Sequence, residues 1–507
     1  MKIFANARID ARDEPLPDAE LILDAYKTWG DDCVKHLLGD FAFAIWDDRR
    51  RRLFCARDHF GVKPFFYTHT KDSFNFSSRL NELKVSTTLN EIAIGDYLLF
   101  GVNQDQSTTV FNDIQRLPPG HTLTVENNQI KTQRYWTPSL PTEIRFRDPE
   151  AYVERFSELL SRAVKDRLRT DRVAVSMSGG LDSTSLAAIA REHAAVAGFA
   201  VVYDTLIPDQ ERQYSSLAAE HLRIPITHLS ADGYSLFDGE MDQAEPFLIS
   251  PLTGQFNDLL RLCAAFSPVA LTGYDGDSFM HEPQVKLRTR IGRMLRKNDY
   301  HGFFPGWLDQ SFEMRTNLRE RYQNFWAKSE GGKRPAAMRA LNSKIWTALF
   351  EGYDPGATKL NLELRHPFID LRLVEYLLAI PTVPWCVNKH ILRCAMHDKL
   401  PEAVLNRHKT GLAGDPALQL VRRASVRWLD SFEVSPQLRA FVNLDRRRPV
   451  VEEETADGLW ASLRVFALNY WLTHSRPSVR RTSVITGEQE QDLNRLNCLN
   501  METMHGT

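Results

Sequence analysis

Residues 178–183, with the sequence SGGLDS, join a short apolar run to a stretch with helical spacing. The run at 172–177 is typical of a buried strand, and the stretch at 183–193 is typical of a helix. Two consecutive glycines at such a junction allow a tight turn, in which backbone N–H groups can approach a ligand closely. The pattern predicts a unit of an open parallel sheet with a ligand site at the carboxyl end of the strand.

Strand and helix patterns continue to alternate along the following ninety residues or so. Short apolar runs at 199–204, 226–230 and 269–273 are typical of strands, and 215–222 has the spacing of a helix. A further helical pattern at 152–168 precedes the first strand. Strands that alternate with helices predict a parallel sheet covered by helices on both faces.

The first 140 residues have a different pattern. The runs FAFAIW, RLFCARD and KPFFYT are short, partly alternating and separated by polar turns, which is typical of antiparallel strands. The segment 137–150 carries three prolines and is the natural linker. We therefore expect a first domain at 1–140, a second at 150–475 and a polar tail at 476–507.

Composition excludes several classes of protein. The 507 residues are 43% hydrophobic and 25% charged, with a net charge of −2, so no basic surface for nucleic acid is indicated. No apolar run reaches the ~18 residues of a membrane span. The six cysteines form no C-x-x-C pair, which argues against structural zinc and a disulfide framework. We expect a cytoplasmic protein with no membrane or nucleic-acid partner.

The glycine turn has the chemistry of a phosphate site. Backbone N–H groups, the hydroxyls of Ser178 and Ser183, and the positive end of a helix all favour an anion. Asp182 would repel a phosphate unless it holds Mg²⁺ against it. The structural alternative is an ordinary strand-to-helix turn with Asp182 and Ser183 near the N-cap.

This loop resembles the pyrophosphate loop of the ATP-pyrophosphatase superfamily, whose members split ATP into AMP and pyrophosphate as they activate a substrate as its adenylate. Other stretches resemble motifs of the asparagine synthetases, in the same order, namely 37–67, 271–279, 362–381 and 389–412. The resemblance covers about residues 5 to 415. It implies an α/β protein with an N-terminal glutaminase-like α+β sandwich and a C-terminal synthetase domain of the adenine nucleotide α-hydrolase-like fold.

The resemblance also implies roles for individual residues, with ATP and Mg²⁺ as cofactors. It places the adenine at Met177 and Val201 and the ribose near Thr272 and Gly273. It places Mg²⁺ at Asp182 and Asp277. The residues that would surround the β- and γ-phosphates are Ser178, Gly179, Gly180, Leu181, Asp182 and Ser183.

Tyr274 is a departure, because asparagine synthetases carry a glutamate there. The β-lactam synthetases have a tyrosine, which works as a dyad with the glutamate of the third motif, here Glu363. This likeness implies that Tyr274 and Glu363 together deprotonate the attacking amine. Lys409 matches a lysine that neutralises charge on the adenylate and pyrophosphate. The structural alternatives are packing for Tyr274, an ion pair with Arg365 for Glu363, and a surface position for Lys409.

The start of the chain is a second departure. The family's glutaminase uses a cysteine directly after the initiator methionine, whereas this chain has Lys2 and no cysteine before Cys33. Ala7 and Arg8 replace a glycine and a glutamate of the family pattern, and Asp18 matches the acid that holds the glutamine amine. Because this chemistry needs a nucleophile, we expect no glutamine hydrolysis. Either the start codon is misassigned, or the domain is a remnant kept for packing.

Lasso-peptide cyclases are similar in lacking the working cysteine, and they join a peptide's N-terminal amine to an Asp or Glu side chain. We therefore expect an ATP-dependent amide ligase that forms a macrolactam in a peptide, with a precursor peptide and its leader protease as partners. A small carboxylate is an alternative substrate. The alternatives are a glutamine-hydrolysing asparagine synthetase with an incomplete N-terminus, a scaffold without catalysis, and a nucleotide-modifying thiolase of the same superfamily.

Overall fold

The computed structural model describes residues 1–10, 16–83, 88–207, 209–282, 304–327, 333–407, 414–453 and 455–474. Its strands are β1 (Lys2–Ile9), β2 (Gly39–Asp47), β3 (Arg52–Arg57), β4 (Phe66–His69), β5 (Phe74–Ser77), β6 (Gln115–Arg116), β7 (His121–Glu126), β8 (Gln129–Arg134), β9 (Arg172–Ser176), β10 (Ala195–Val202), β11 (Ile226–Ser230), β12 (Val269–Thr272) and β13 (Glu363–Arg365). Its helices are α1 (Asp18–Trp29), α2 (Glu91–Phe100), α3 (Pro149–Leu168), α4 (Leu181–Ala190), α5 (Glu211–Leu222), α6 (Thr253–Phe266), α7 (Gly276–Met280), α8 (Gln310–Arg315), α9 (Leu318–Ala327), α10 (Pro335–Leu341), α11 (Ile345–Tyr353), α12 (Pro355–Thr358), α13 (Leu371–Ala379), α14 (His390–Ala395), α15 (Glu402–Leu405), α16 (Pro416–Val421) and α17 (Ala456–His474).

The N-terminal region is built on an antiparallel five-stranded sheet in the order β1-β2-β3-β7-β8. Side chains alternate between its two faces, as the period of a strand requires. Phe41, Phe43 and Phe54 pack against α1 on one face, and Ala44 and Leu53 face a second small core on the other. A three-stranded sheet, β5-β4-β6, completes this region.

The second region contains a parallel sheet in the order β11-β10-β9-β12-β13. Its central strand β9 is covered on one side by α3 and α4, where Val173 and Val175 lie in the core. On the other side α6 packs against Ala174. The predicted α/β fold class, with an antiparallel N-terminal region and a parallel C-terminal sheet, is confirmed.

Several element boundaries differ from the sequence prediction, among them the start of α5, which is Glu211 and not residue 215. Helix α4 begins at Leu181, two residues early, because Gly180 is its N-cap. Strand β10 begins at Ala195 rather than at 199, because it pairs with the whole length of β9, from Arg172 to Ser176. The predicted helix 183–193 is accordingly too long at its C-terminal end.

The C-terminal helix α17 joins the two regions. Leu459, Leu463 and Phe466 belong to the same hydrophobic cluster as Leu98 of α2. The Arg464 guanidinium donates a hydrogen bond of 2.8 Å to the Leu98 carbonyl. Helices of the first 140 residues therefore share a core with the end of the chain, and the expected domain boundaries stay a prediction. Within the described residues, no helix is long and apolar enough to cross a membrane.

Candidate active site

The turn after β9 takes a conformation that glycine favours. Gly179 has a φ of +70°, and a Cβ there would lie 2.4 Å from the backbone nitrogen of Ser215 in α5. Gly180 is the N-cap of α4, so the first N–H groups of this helix lie directly after the turn. The carboxyl end of β9 thus presents glycine backbone and a helix N-terminus side by side, as an anion site requires.

The turn after β12 packs tightly against this loop. A Cβ on Gly273 would lie 2.9 Å from the backbone nitrogen of Ser183, and one on Gly276 would lie 2.6 Å from Cγ of Asp182. A side chain at position 273 would therefore collide with the backbone of α4, and one at position 276 would displace the Asp182 carboxylate. This approach brings the second motif, with Asp277, alongside the start of α4.

Asp182 and Asp277 meet at a single buried cation. The Lys389 ammonium lies 2.5 Å from Oδ2 of Asp182 and 2.7 Å from Oδ1 of Asp277. Lys389 begins the K-x-x-L-R stretch at 389–393, but the sequence analysis gave it no role. Lys389 is far from both aspartates in the sequence, so the contact could not be predicted from the sequence. It forms because the two turns and the start of α14 converge.

The donor set fits the Mg²⁺ expected from the sequence. Two carboxylates already converge on one positive charge, and Mg²⁺ is usually held by one or two carboxylates together with phosphate and water oxygens. Asp275 lies beside them, and burial, with smaller contributions from Asp277 and Asp182, raises its pKa to about 7. In the part of the chain that the structure describes, no group of three or more His, Cys, Asp or Glu side chains is arranged to hold a metal.

A cavity of about 890 Å³ opens beside the loop. The residues that line it include Ser178 and Val201, two residues predicted to contact ATP. Much of the remaining lining is apolar and aromatic, and these residues include Phe247, Leu248, Leu252, Phe256, Leu349 and Tyr353. The volume lies near the upper end for a single small-molecule site, ~300–1,000 Å³.

Two residues predicted at the nucleotide have their side chains elsewhere. The Met177 side chain is buried in the core next to Gly198. The Thr272 hydroxyl is 2.6 Å from Nδ1 of His366. Burial lowers the pKa of His366 to about 3, so this imidazole is neutral. Met177 can therefore contact a nucleotide only through its main chain. The Thr272 side chain is held by a hydrogen bond to the buried His366.

Tyr274 lies in the cavity wall, and its hydrogen-bond partner differs from the expected one. Its hydroxyl is 2.6 Å from the hydroxyl of Tyr353, and the two rings stack with centroids 5.7 Å apart. Burial raises the pKa of both phenols. The partner residue lies 79 positions further along the chain, and nothing in the local sequence indicates the pair.

Glu363 has different partners, so the expected dyad is not assembled. Its carboxylate accepts hydrogen bonds from Lys63 Nζ at 2.5 Å and from Arg365 Nε at 2.9 Å. Although burial raises the pKa of Glu363, the charges of Lys63 and Arg365 hold it well below its usual range. The physical reason is the register of the sheet, because Glu363 pairs with Val269 at the start of β12, whereas Tyr274 follows the end of that strand.

Lys409 lies outside the described residues. Arg407, two positions earlier, does reach the loop. Its guanidinium donates to the Ser178 carbonyl at 3.4 Å and to the Glu211 carboxylate at 2.7 Å. The stretch that carries Lys409 therefore starts beside the phosphate loop.

Three N-terminal residues that bear on the glutaminase pattern, Arg8, Asp18 and Cys33, form ion pairs or are buried in the core. Arg8 is buried and binds Asp40 at 2.8 Å and Asp10 at 2.9 Å. Asp18 accepts from Arg169 of the second region at 2.8 Å. Burial raises the pKa of the Cys33 thiol to about 12, so this cysteine does not supply a thiolate nucleophile. These side chains join the two regions.

Comparison with known proteins agrees with this geometry. Residues 155–473, well over half of the chain, match the family described as Asparagine synthase. The chain belongs to the asparagine synthase family. Residues 13–136 match the Glutamine amidotransferase domain. The predicted family and the predicted enzyme class, an ATP-dependent ligase, are therefore confirmed.

Curated relatives include several asparagine synthetases. Asparagine synthetase [glutamine-hydrolyzing] 3 of Bacillus subtilis is 28% identical over 444 residues, covering 78% of this chain and 70% of the relative. Asparagine synthetase [glutamine-hydrolyzing] 2 of the same organism is 26% identical over 440 residues, covering 77% and 58%. A putative asparagine synthetase [glutamine-hydrolyzing] 2 of Methanocaldococcus jannaschii is 32% identical over 182 residues, covering 34% and 35%. The chain thus spans under two thirds of the length of two of these relatives.

Proposed function

We propose that this chain is an ATP-dependent amide ligase that activates a carboxylate of a peptide and joins it to an amine of the same peptide. The carboxylate oxygen attacks the α-phosphorus of ATP and pyrophosphate leaves. The amine then attacks the activated carbonyl and displaces AMP. The net result is one amide bond, with AMP and pyrophosphate as products.

The observation that carries the proposal is the cavity next to the loop. Much of its described lining is aromatic and aliphatic, and the two cations in that lining are paired, Lys359 with Glu240 at 2.6 Å and Arg261 with Asp258 at 2.6 Å. Aspartate would bring an α-carboxylate that calls for a cation of its own, whereas an apolar peptide segment fits such walls. The described lining therefore favours a peptide over a small charged amino acid.

The residues of the chain have separable tasks in this proposal. Loop N–H groups at 178–183 hold the phosphates, and Asp182 and Asp277 hold Mg²⁺, which supplies positive charge to the departing pyrophosphate. Tyr274 takes the proton of the attacking amine as its own hydroxyl proton passes along the hydrogen bond to Tyr353. Tyr353 in turn gives its proton to water, so both phenols stay neutral.

The second candidate is asparagine formation from aspartate. It is favoured by the likeness to asparagine synthetases of Bacillus subtilis. In this candidate the nitrogen comes from ammonia, either added directly or released from glutamine. For both candidate functions we propose a cytoplasmic location.

Exchange of labelled pyrophosphate into ATP separates the two candidates. We expect exchange with linear peptides that carry a free N-terminal amine and an internal Asp or Glu, followed by loss of one water from the peptide mass. The N-acetylated form of the same peptide is the matched control and should support exchange without loss of water. Exchange with L-aspartate alone, and asparagine formed when ammonium is added, would favour the second candidate instead.

A further inference from the structure

Four charged side chains are buried together where the N-terminal region meets the walls of the cavity. Arg57 of β3 and Arg116 of β6 come from the first region, and Glu245 and Glu351 come from the second. Each of the four side chains is at most 4% exposed. We call this group the arginine clamp.

Arg116 is the centre of the clamp, because its guanidinium binds both glutamates. Its Nε donates to Glu351 at 2.8 and 3.1 Å, and its Nη2 donates to Glu245. Arg57 adds a bond of 3.2 Å to Glu351 and is itself fixed by three backbone carbonyls of the first region. Glu245 also accepts from the Val110 backbone nitrogen at 2.8 Å. A planar guanidinium is suited to such double pairing, whereas an ammonium is a point charge.

The two glutamates belong to neighbouring segments whose other residues line the cavity. Glu351 is in α11, whose Leu349 and Tyr353 line it. Glu245 directly precedes the turn that carries Phe247 and Leu248, which also line it. One guanidinium from the first region therefore ties together two wall segments that are about a hundred residues apart in the sequence.

We propose that Arg116 is a positioning residue, and that the N-terminal region serves this enzyme as a support for the walls of the substrate cavity. Buried glutamates that lose their cation are left with uncompensated charge, so the wall segments have to rearrange or take up water when the clamp is broken. The role in substrate binding rests on the proposed function, which assigns the cavity to the peptide. The coupling of the first region to the two walls does not depend on that assignment.

The test uses hydrogen–deuterium exchange on the full chain, with Arg116→Met as the first variant. Arg321→Met is the matched control, because Arg321 pairs with the buried Asp96 across the same two regions, and neither residue lines the cavity. We expect amides at 246–256 and 345–353 to exchange at least tenfold faster in Arg116→Met. Amides of β9 and α4 should stay within twofold of wild type in both variants.

A second variant separates positioning from general stability. Arg116→Met combined with Glu245→Gln removes the charge that the first change leaves unpaired, because Arg57 still pairs with Glu351. We expect this double variant to recover the melting temperature but not the slow exchange of the two walls. Recovery of both would show that the clamp only neutralises charge, and the proposal would fail.

The two proposals fail in different ways. Faster exchange spread evenly over the chain in Arg116→Met, or wall exchange unchanged from wild type, would overturn the positioning role. If the wild-type chain does not bind ATP, measured by equilibrium dialysis with labelled ATP, the proposed function fails. The exchange rates of the two wall segments then still test the positioning role of Arg116.

Discussion

Glu363→Gln should destabilise the fold much more than it impairs the chemistry. The glutamine has the same size but removes the negative charge that lies between Lys63 and Arg365. If Glu363 instead worked with Tyr274 as a dyad, the change would abolish amide formation and leave stability almost unchanged. The two accounts therefore predict opposite results from one substitution.

The expected loss follows from the burial of the pair. An exposed ion pair contributes up to ~1 kcal/mol, whereas removing one partner of a buried pair costs ~3–5 kcal/mol. Lys63 is 8% exposed and Glu363 is 24% exposed. We expect a loss of about 3 kcal/mol, near the lower end of the buried range. Lys63→Met combined with Glu363→Gln should recover part of it, because fewer buried charges remain unpaired.

Urea unfolding and peptide cyclisation are measured on Glu363→Gln, on Tyr274→Phe and on the double variant. Tyr274→Phe should lower amide formation by roughly 10²–10⁴-fold and cost about 1–3 kcal/mol, because the buried Tyr353 hydroxyl loses its partner. The unfolding free energies should add within ~0.5 kcal/mol, as for independent sites. If Glu363→Gln matches Tyr274→Phe in lost activity at normal stability, and the double variant is no worse, our assignment of Glu363 is refuted.

Three further predictions concern the loop and its surroundings. Gly179→Ala should weaken ATP binding at least tenfold in a dialysis assay, because its Cβ would collide with the α5 backbone; unchanged binding would contradict the role of the turn. Lys389→Met should remove the cation between Asp182 and Asp277, so added Mg²⁺ should raise the melting temperature of this variant more than that of wild type. His366 is neutral in the fold, with a pKa of about 3 against 6.5 for the free side chain, so stability is lost as pH falls below 6.5. Between pH 6.5 and 5 wild type should lose about 2 kcal/mol more than His366→Asn in urea unfolding, and equal losses would contradict a neutral buried histidine.

The sequence predicted those parts of the site that are local in the chain. The glycine turn at 178–183 could be predicted because a strand, two glycines and a helix follow one another, and each has its own pattern. The second motif at 271–279 was found by its resemblance to the asparagine synthetases. Helix α4 nevertheless starts earlier than predicted, because the cap is a glycine and not one of the hydroxyl residues that favour this position.

The parts that could not be predicted depend on contacts between distant segments. Tyr353 pairs with Tyr274, and Lys63 with Glu363, only because helix α11 and the N-terminal region pack against the sheet. The register of β12 and β13 decides which side of the sheet each side chain reaches, and three residues of β13 carry too short a pattern to reveal it. Lys389 was visible as part of a motif, but its contact with two aspartates required the fold.

Calorimetric binding of α,β-methylene ATP in the presence of Mg²⁺ tests the central claim most directly. The account predicts that wild type binds this analogue, and that Asp182→Ala and Asp277→Ala each weaken binding at least tenfold with Mg²⁺ present. Without Mg²⁺ the three proteins should differ much less, since the carboxylates act through the metal. Absence of binding to wild type, or Mg²⁺-dependent binding by both aspartate variants as tight as that of wild type, would contradict the assignment of the nucleotide to the loop after β9.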